Sequence, residues 1–109
     1  MAAAIDLAVL ESLIGTDPAR IRTFSGKFID SARTGLAEMD ACLASGDIAR
    51  IRELGHRIKS AARIVGAFGM GELCERLETL PAQDEQEAAR TLVARLHPLL
   101  DEVAATLGL

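Results

Sequence analysis

Apolar residues recur along this chain at helical intervals from one end to the other. Ile51, Leu54, Ile58, Ala61 and Val65 follow one another at steps of three and four, a spacing that lines them along one stripe of a helix facing a core. The same reading predicts a short helix over residues 5–14 carrying Ile5, Val9 and Leu13, with Asp6 near its start. A long helix over 18–44 carries Ile21, Phe24, Phe28, Ala32, Leu36, Met39 and Leu43, the stripe passing Gly26 and Gly35 without a phase shift. A helix over about 70–80 turns Leu73, Cys74 and Leu77 inward. A last one, running to about Leu107, turns Leu92, Leu96, Leu99, Leu100, Val103 and Leu107 inward.

The punctuation between these stretches agrees with the pattern. Gly15 ends the first helix, and Asp17 before Pro18 restarts the chain as a cap followed by a proline whose missing N–H costs nothing there. Ser45-Gly46-Asp47 is a tight connection, Gly46 suited to a left-handed stop and Asp47 to a cap, so the flanking helices are antiparallel neighbours. Gly66 to Gly69 interrupts the next helix, Pro81 closes the fourth, and residues 82–86 form a loop with Asp84 as cap. Pro98 falls inside the last helix and is expected to kink or split it near Leu96 or His97. No alternating β-branched run or Asn-Gly turn signals a strand. The expected fold is all-α: one domain over residues 1–109, an antiparallel four-helix bundle with a short additional N-terminal helix.

Composition narrows the chemistry. Half of the 109 residues are apolar, but there is no Trp or Tyr and there are only three Phe, so the core is built of aliphatic side chains. A net charge of −4 argues against general nucleic-acid binding, which needs a basic surface. Cations nonetheless crowd one helix, as Arg50, Arg52, Arg57, Lys59 and Arg63. Cys42 and Cys74 show no metal-ligand spacing and read as small core residues in a reducing compartment. The first ten residues lack the pattern of a signal peptide and no run reaches transmembrane length. A soluble, cytoplasmic protein with no membrane association is expected; a piece of a larger anchored chain would read the same.

His56 is the residue that packing does not require. It lies nearly opposite the Ile58 stripe, and at roughly 100° per residue Arg52, Lys59, Ser60 and Arg63 fall within about 60° of it. By position alone this is either an ordinary surface histidine or an imidazole offered to an anionic group. His97, without a lysine three residues on, reads as a surface or partly buried histidine. Arg50 and Arg57 read as solvated.

The segment LGHRIKSAARIVGAFGMGELCERLE, Leu54 to Glu78, resembles the signature of histidine-containing phosphotransfer (HPt) domains of two-component phosphorelays. That signature has His, an aliphatic residue two on, Lys three on, Gly or Ser four on, a Gly-Ala pair about ten on, and a helix reading Cys- or Leu-x-x-Leu-Glu. Here these are His56, Ile58, Lys59, Ser60, Gly66 with Ala67, and Cys74, Leu77 and Glu78. The resemblance implies that His56 is the phosphoacceptor and that Lys59 stabilises the phosphate. Ser60, where the family most often has glycine, leaves room for a receiver domain, and Glu78 orients the imidazole by accepting from Nδ1–H. It further implies a monomeric carrier with no cofactor of its own, Mg²⁺ being supplied by the partner. The partners would be receiver domains of a hybrid sensor histidine kinase and of a response regulator. Ala49, Arg52, Gly55 and Arg63 are the candidates for receiver docking. No ATP-binding motif is present. Two rival readings are an HPt-like docking or inhibitory module that does not transfer phosphate, and a small enzyme or metalloprotein. Paired Glu-x-x-His motifs, which the second would need in a bundle, are missing.

Overall fold

A computed structural model describes residues 4–81 and 83–109. Among them are five helices and no strand: α1 (Leu7–Ile14), α2 (Pro18–Ser45), α3 (Ile48–Val65), α4 (Phe68–Glu78) and α5 (Glu85–Thr106). Helices α2, α3, α4 and α5 pack in a ring, each antiparallel to the next, and α1 lies against α2 and α3. The core is a single, largely aliphatic cluster in which Leu36, Met39, Ile51, Met70, Leu77, Leu96, Leu100 and Val103 are almost wholly buried.

The caps form as their residue types require. The Asp17 carboxylate accepts from the Ala19 amide at 3.1 Å with Pro18 in the first turn, and Asp47 accepts from the Arg50 amide at 3.1 Å. Gly46 is left-handed at φ 76°. Asp84 stands at the head of α5 but makes no side-chain cap bond; its φ of 56° turns the chain, and its carbonyl accepts from Ala88. The helix thus begins at Glu85, inside the expected loop, whose Ala82 lies outside the described residues, as do residues 1–3.

Several boundaries and phases differ from the sequence expectation. Asp6 is extended (φ −96°, ψ 101°) and caps a helix that starts only at Leu7. Ile5 is therefore out of phase with the helix; Ile5 and Leu10 are buried while Leu13 is exposed. In α2, Phe24 is 36% exposed and Ile21 only half-buried, because this helix outruns its partner: 28 residues against 18 in α3, about 42 Å against 27 Å. Ala62, not Ala61, completes the buried stripe of α3. The interruption before α4 is only Gly66 and Ala67, and α4 runs from Phe68 to Glu78. Helix α5 is not split at Pro98; Ala94, whose carbonyl loses its partner amide, is exposed and open to water.

Two glycines set interhelical distances. A Cβ at Gly35 would stand 2.9 Å from Ile58 Cδ1, so α2 and α3 approach closely there. Gly66 is left-handed (φ 86°), and a Cβ on it would fall 2.5 Å from the Asp6 carbonyl oxygen. The Asp6 amide in turn donates to the Gly66 carbonyl at 2.9 Å. That contact seats α1 on the turn between α3 and α4. No helix among the described residues is long and apolar enough to cross a membrane.

Candidate functional site

Helix α3 presents His56 to water, its side chain 67% exposed. One face of the ring's surroundings is nevertheless fixed. His56 Nδ1 lies 2.5 Å from Glu78 Oε1, the last residue of α4. Lys59 Nζ donates to the other oxygen, Oε2. Both Lys59 and Glu78 are largely buried, 16% and 20% exposed. The Lys59 hydrogen bond, with a smaller contribution from His56, holds the Glu78 carboxyl below the usual glutamate range despite the opposing cost of burial. A carboxylate at a helix C-terminus faces the unfavourable end of the helix dipole, and the Lys59 ammonium offsets this. An ionised carboxylate can only accept, so Nδ1 is the donor in this contact, and in the neutral ring the lone pair falls on Nε2, the nitrogen away from Glu78.

This geometry depends on close packing behind the ring. Gly55, expected at a docking surface, is buried instead: a Cβ there would stand 3.3 Å from both the Cys74 carbonyl oxygen and Leu77 Cβ. Its missing side chain lets α4 come close enough for Glu78 to reach the imidazole. Cys74 lies beneath the same contact, fully buried, its thiol pushed up to about 12 by burial.

The other predicted residues take distinct places. Ser60 is exposed, one turn after His56, and its hydroxyl donates to the His56 carbonyl at 3.1 Å, which keeps the surface beside the ring low. Ala49 is exposed in the first turn of α3. Arg52 pairs with Glu85 of α5 at 2.6 Å and Arg63 with Glu75 of α4 at 3.2 Å. The cations around His56 are thus matched by acids on neighbouring helices, whereas the sequence reading left them open to anions. Arg50 is not simply solvated; it bonds Glu38 of α2 at 2.5 Å and Glu53 at 3.0 Å, and this pairing lowers the Glu38 carboxyl pKa. His97 stands on α5 within 3.2 Å of Asp40 of α2 and takes no part in the site.

Sequence reasoning missed the acids Glu75 and Glu85 and the apolar side of the site. Ile64, 53% exposed, lies one turn beyond Ser60. It borders a groove of about 580 Å³ between α2 and α3, lined among others by Phe24, Phe28, Leu54 and Arg57. An aliphatic residue six positions after Ile58, out of phase with the stripe, was the available signal for Ile64. Glu75 and Glu85 carried no signal, because their role depends on which helices become neighbours. No group of three or more His, Cys, Asp or Glu side chains suited to a metal ion occurs among the described residues.

The fold and site together define a class: a small antiparallel helical module that exposes a histidine, His56, held from behind by a carboxylate on the adjoining helix. The chain belongs to the Hpt domain family, whose model matches residues 24–106. It is also 27% identical over 78 residues to multistep phosphorelay regulator 1 of Schizosaccharomyces pombe, a match covering 68% of this chain. The match takes in 26% of that relative's length, so the chain spans about a quarter of it. No solved structure matches. Family and relative support a phosphotransfer role in a phosphorelay.

Proposed function

We propose that the chain is a phosphorelay intermediate. His56 takes a phosphoryl group from the aspartyl phosphate of a hybrid kinase's receiver domain and passes it to the aspartate of a response regulator. The observation that carries this reading is the Glu78 contact to Nδ1, which leaves Nε2 as an exposed nucleophile of defined direction.

In the step, the Nε2 lone pair attacks phosphorus and an Nε2–P bond forms. The P–O bond to the aspartyl group breaks, and the carboxylate leaves with the electron pair. No proton moves on the histidine: Nδ1–H stays, the ring becomes a phosphorylated imidazolium, and the hydrogen bond to Glu78 becomes charge-assisted. Transfer onward is the reverse reaction with a second carboxylate. The charge stabilisation that in-line phosphoryl transfer needs, including Mg²⁺, belongs to the receiver in this scheme. This chain contributes an oriented nucleophile and a docking face, and no ATP-dependent kinase activity of its own. That face combines low ground at Ser60 with the apolar side offered by Ile64 and the α2–α3 groove, since transient interfaces still centre on apolar contact.

The test is to mix the chain with phosphorylated receiver domains and follow label, for wild type and His56→Gln. Acid-labile, base-stable label that appears on wild type and not on the variant is the expected result. No transfer from a broad receiver panel to a folded wild-type chain refutes the carrier role and favours a docking module.

A further inference from the structure

Three cations surround His56, and their pairings are unequal. Lys59 is largely buried and bonds the same carboxylate that orients the ring, so moving it disturbs the imidazole. Arg52 is drawn to Glu85 at 2.6 Å and ties α3 to the first turn of α5, with its Nε buried. Arg63 is the loosely held one. Its contact to Glu75 is the longest of the three at 3.2 Å, and both partners are about half exposed, 45% and 54%. Exposed pairs of this kind contribute little to stability and exchange partners readily.

Arg63 is also directed toward the ring. A Cβ at Gly71 would lie 3.2 Å from Arg63 Cγ, so the arginine stem lies flat over the bare backbone of α4. It ends at Glu75, which is one turn before Glu78 on that helix. Residues three apart on a helix are surface neighbours, about 5–6 Å between Cβ atoms, and Glu78 is the residue that touches His56. The guanidinium is therefore held by the acid one helical turn before the one that holds the imidazole.

Resting on the carrier reading above, we infer that Arg63 is the phosphoryl-responsive cation of this site: it exchanges Glu75 for the phosphoryl oxygens on His56, while Lys59 stays with Glu78 as a positioning residue. A phosphoryl group brings a charge of about −1.5 to −2 and three acceptor oxygens, against the single charge of Glu75. A guanidinium meets such a group through two parallel N–H donors. Gly71 keeps the path across α4 open for that movement.

The experiment phosphorylates the full chain at His56 with phosphoramidate, whose P–N bond breaks as Nε2–P forms and ammonia leaves, so no receiver is needed. The phosphoryl group is then titrated by ³¹P NMR in wild type and in two charge-neutral double variants, R63Q/E75Q and K59Q/E78Q, each checked for helical content. Loss of an adjacent cation raises the phosphoryl pKa. R63Q/E75Q is expected to raise it by about one pH unit, the low end of the range for an opposite charge within reach, and K59Q/E78Q, which removes the ring-orienting carboxylate together with its own cation, to move it by less. The reverse pattern, an equal shift in both, or no shift in either overturns the assignment to Arg63 and leaves the carrier role standing. Failure of His56 to take the phosphoryl group overturns both.

Discussion

Replacing Gly66 by alanine tests how α1 is held on the bundle, and Gly46 supplies the control. Both glycines are left-handed, at φ 86° and 76°. Placing a Cβ in that conformation costs about 1–2 kcal/mol, offset by about 0.4–1 kcal/mol from the stiffer unfolded chain. At Gly46 the added Cβ meets only the flexible end of Gln86, at 3.1 Å, so a net loss of about 1 kcal/mol is expected there. At Gly66 it meets the backbone oxygen of Asp6 at 2.5 Å, and α1 has to retreat. That breaks the Asp6–Gly66 amide bond, about 0.5–1.5 kcal/mol, and loosens Ile5 and Leu10, whose full burial contributes about 1.5–3 kcal/mol each. Gly66→Ala should therefore lose about 3 kcal/mol, some 12 °C in Tm at about 4 °C per kcal/mol. With no Trp or Tyr in the chain, urea unfolding followed by far-ultraviolet circular dichroism is the assay, comparing midpoints at unchanged slope. Equal losses in the two variants would refute the reasoning, because the clash with Asp6 would then carry no energy.

Three further outcomes follow from the site. Glu78 has a folded-state pKa below its unfolded one, so the stability it confers is present above about pH 4.3, the ordinary carboxyl value, and is lost as pH falls through the folded value. Glu78→Gln should accordingly flatten the acid limb of a stability-against-pH curve, and an unchanged limb would argue that Lys59 does not hold the carboxylate. Ser60→Phe should reduce transfer from a phosphorylated receiver by about 100-fold, roughly 2.7 kcal/mol of barrier, while labelling by phosphoramidate persists; parallel loss of both would mean that the ring itself had moved. Cys74, buried with its thiol raised to about 12, should resist alkylation at pH 8 in the folded protein and react at once in denaturant, which a timed mass-spectrometric labelling experiment reads directly.

The helices were legible because their signals are local. Asp17 with Pro18, and Gly46 with Asp47, act on amides a few residues away, and the stripe Ile51, Leu54, Ile58 and Val65 is a property of one helix. Errors arose where the outcome depended on a partner. Phe24 sits on an apolar stripe, but α3 is too short to cover it. Gly55 faces the side of α3 that α4 comes to occupy, so a residue that looks open on an isolated helix is buried in the bundle.

For the site, the sequence by itself determined that His56 would stand on the polar face of an amphipathic helix, with Lys59 and Ser60 one turn on, since a period of 3.6 residues dictates which side chains share a face. It determined as well that one aliphatic core would hold these helices together. Only the tertiary structure decided where the charges go. Glu78, to which the family resemblance pointed but the spacing within α3 did not, lies 22 residues beyond His56 and reaches it because α4 folds back at Gly66 and packs against Gly55. The same reversal brings Glu75 to Arg63, and the α3–α5 approach brings Glu85 to Arg52. Ion pairs between helices depend on the distance and register of two separate elements, which the packing of side chains sets and the spacing within either element does not.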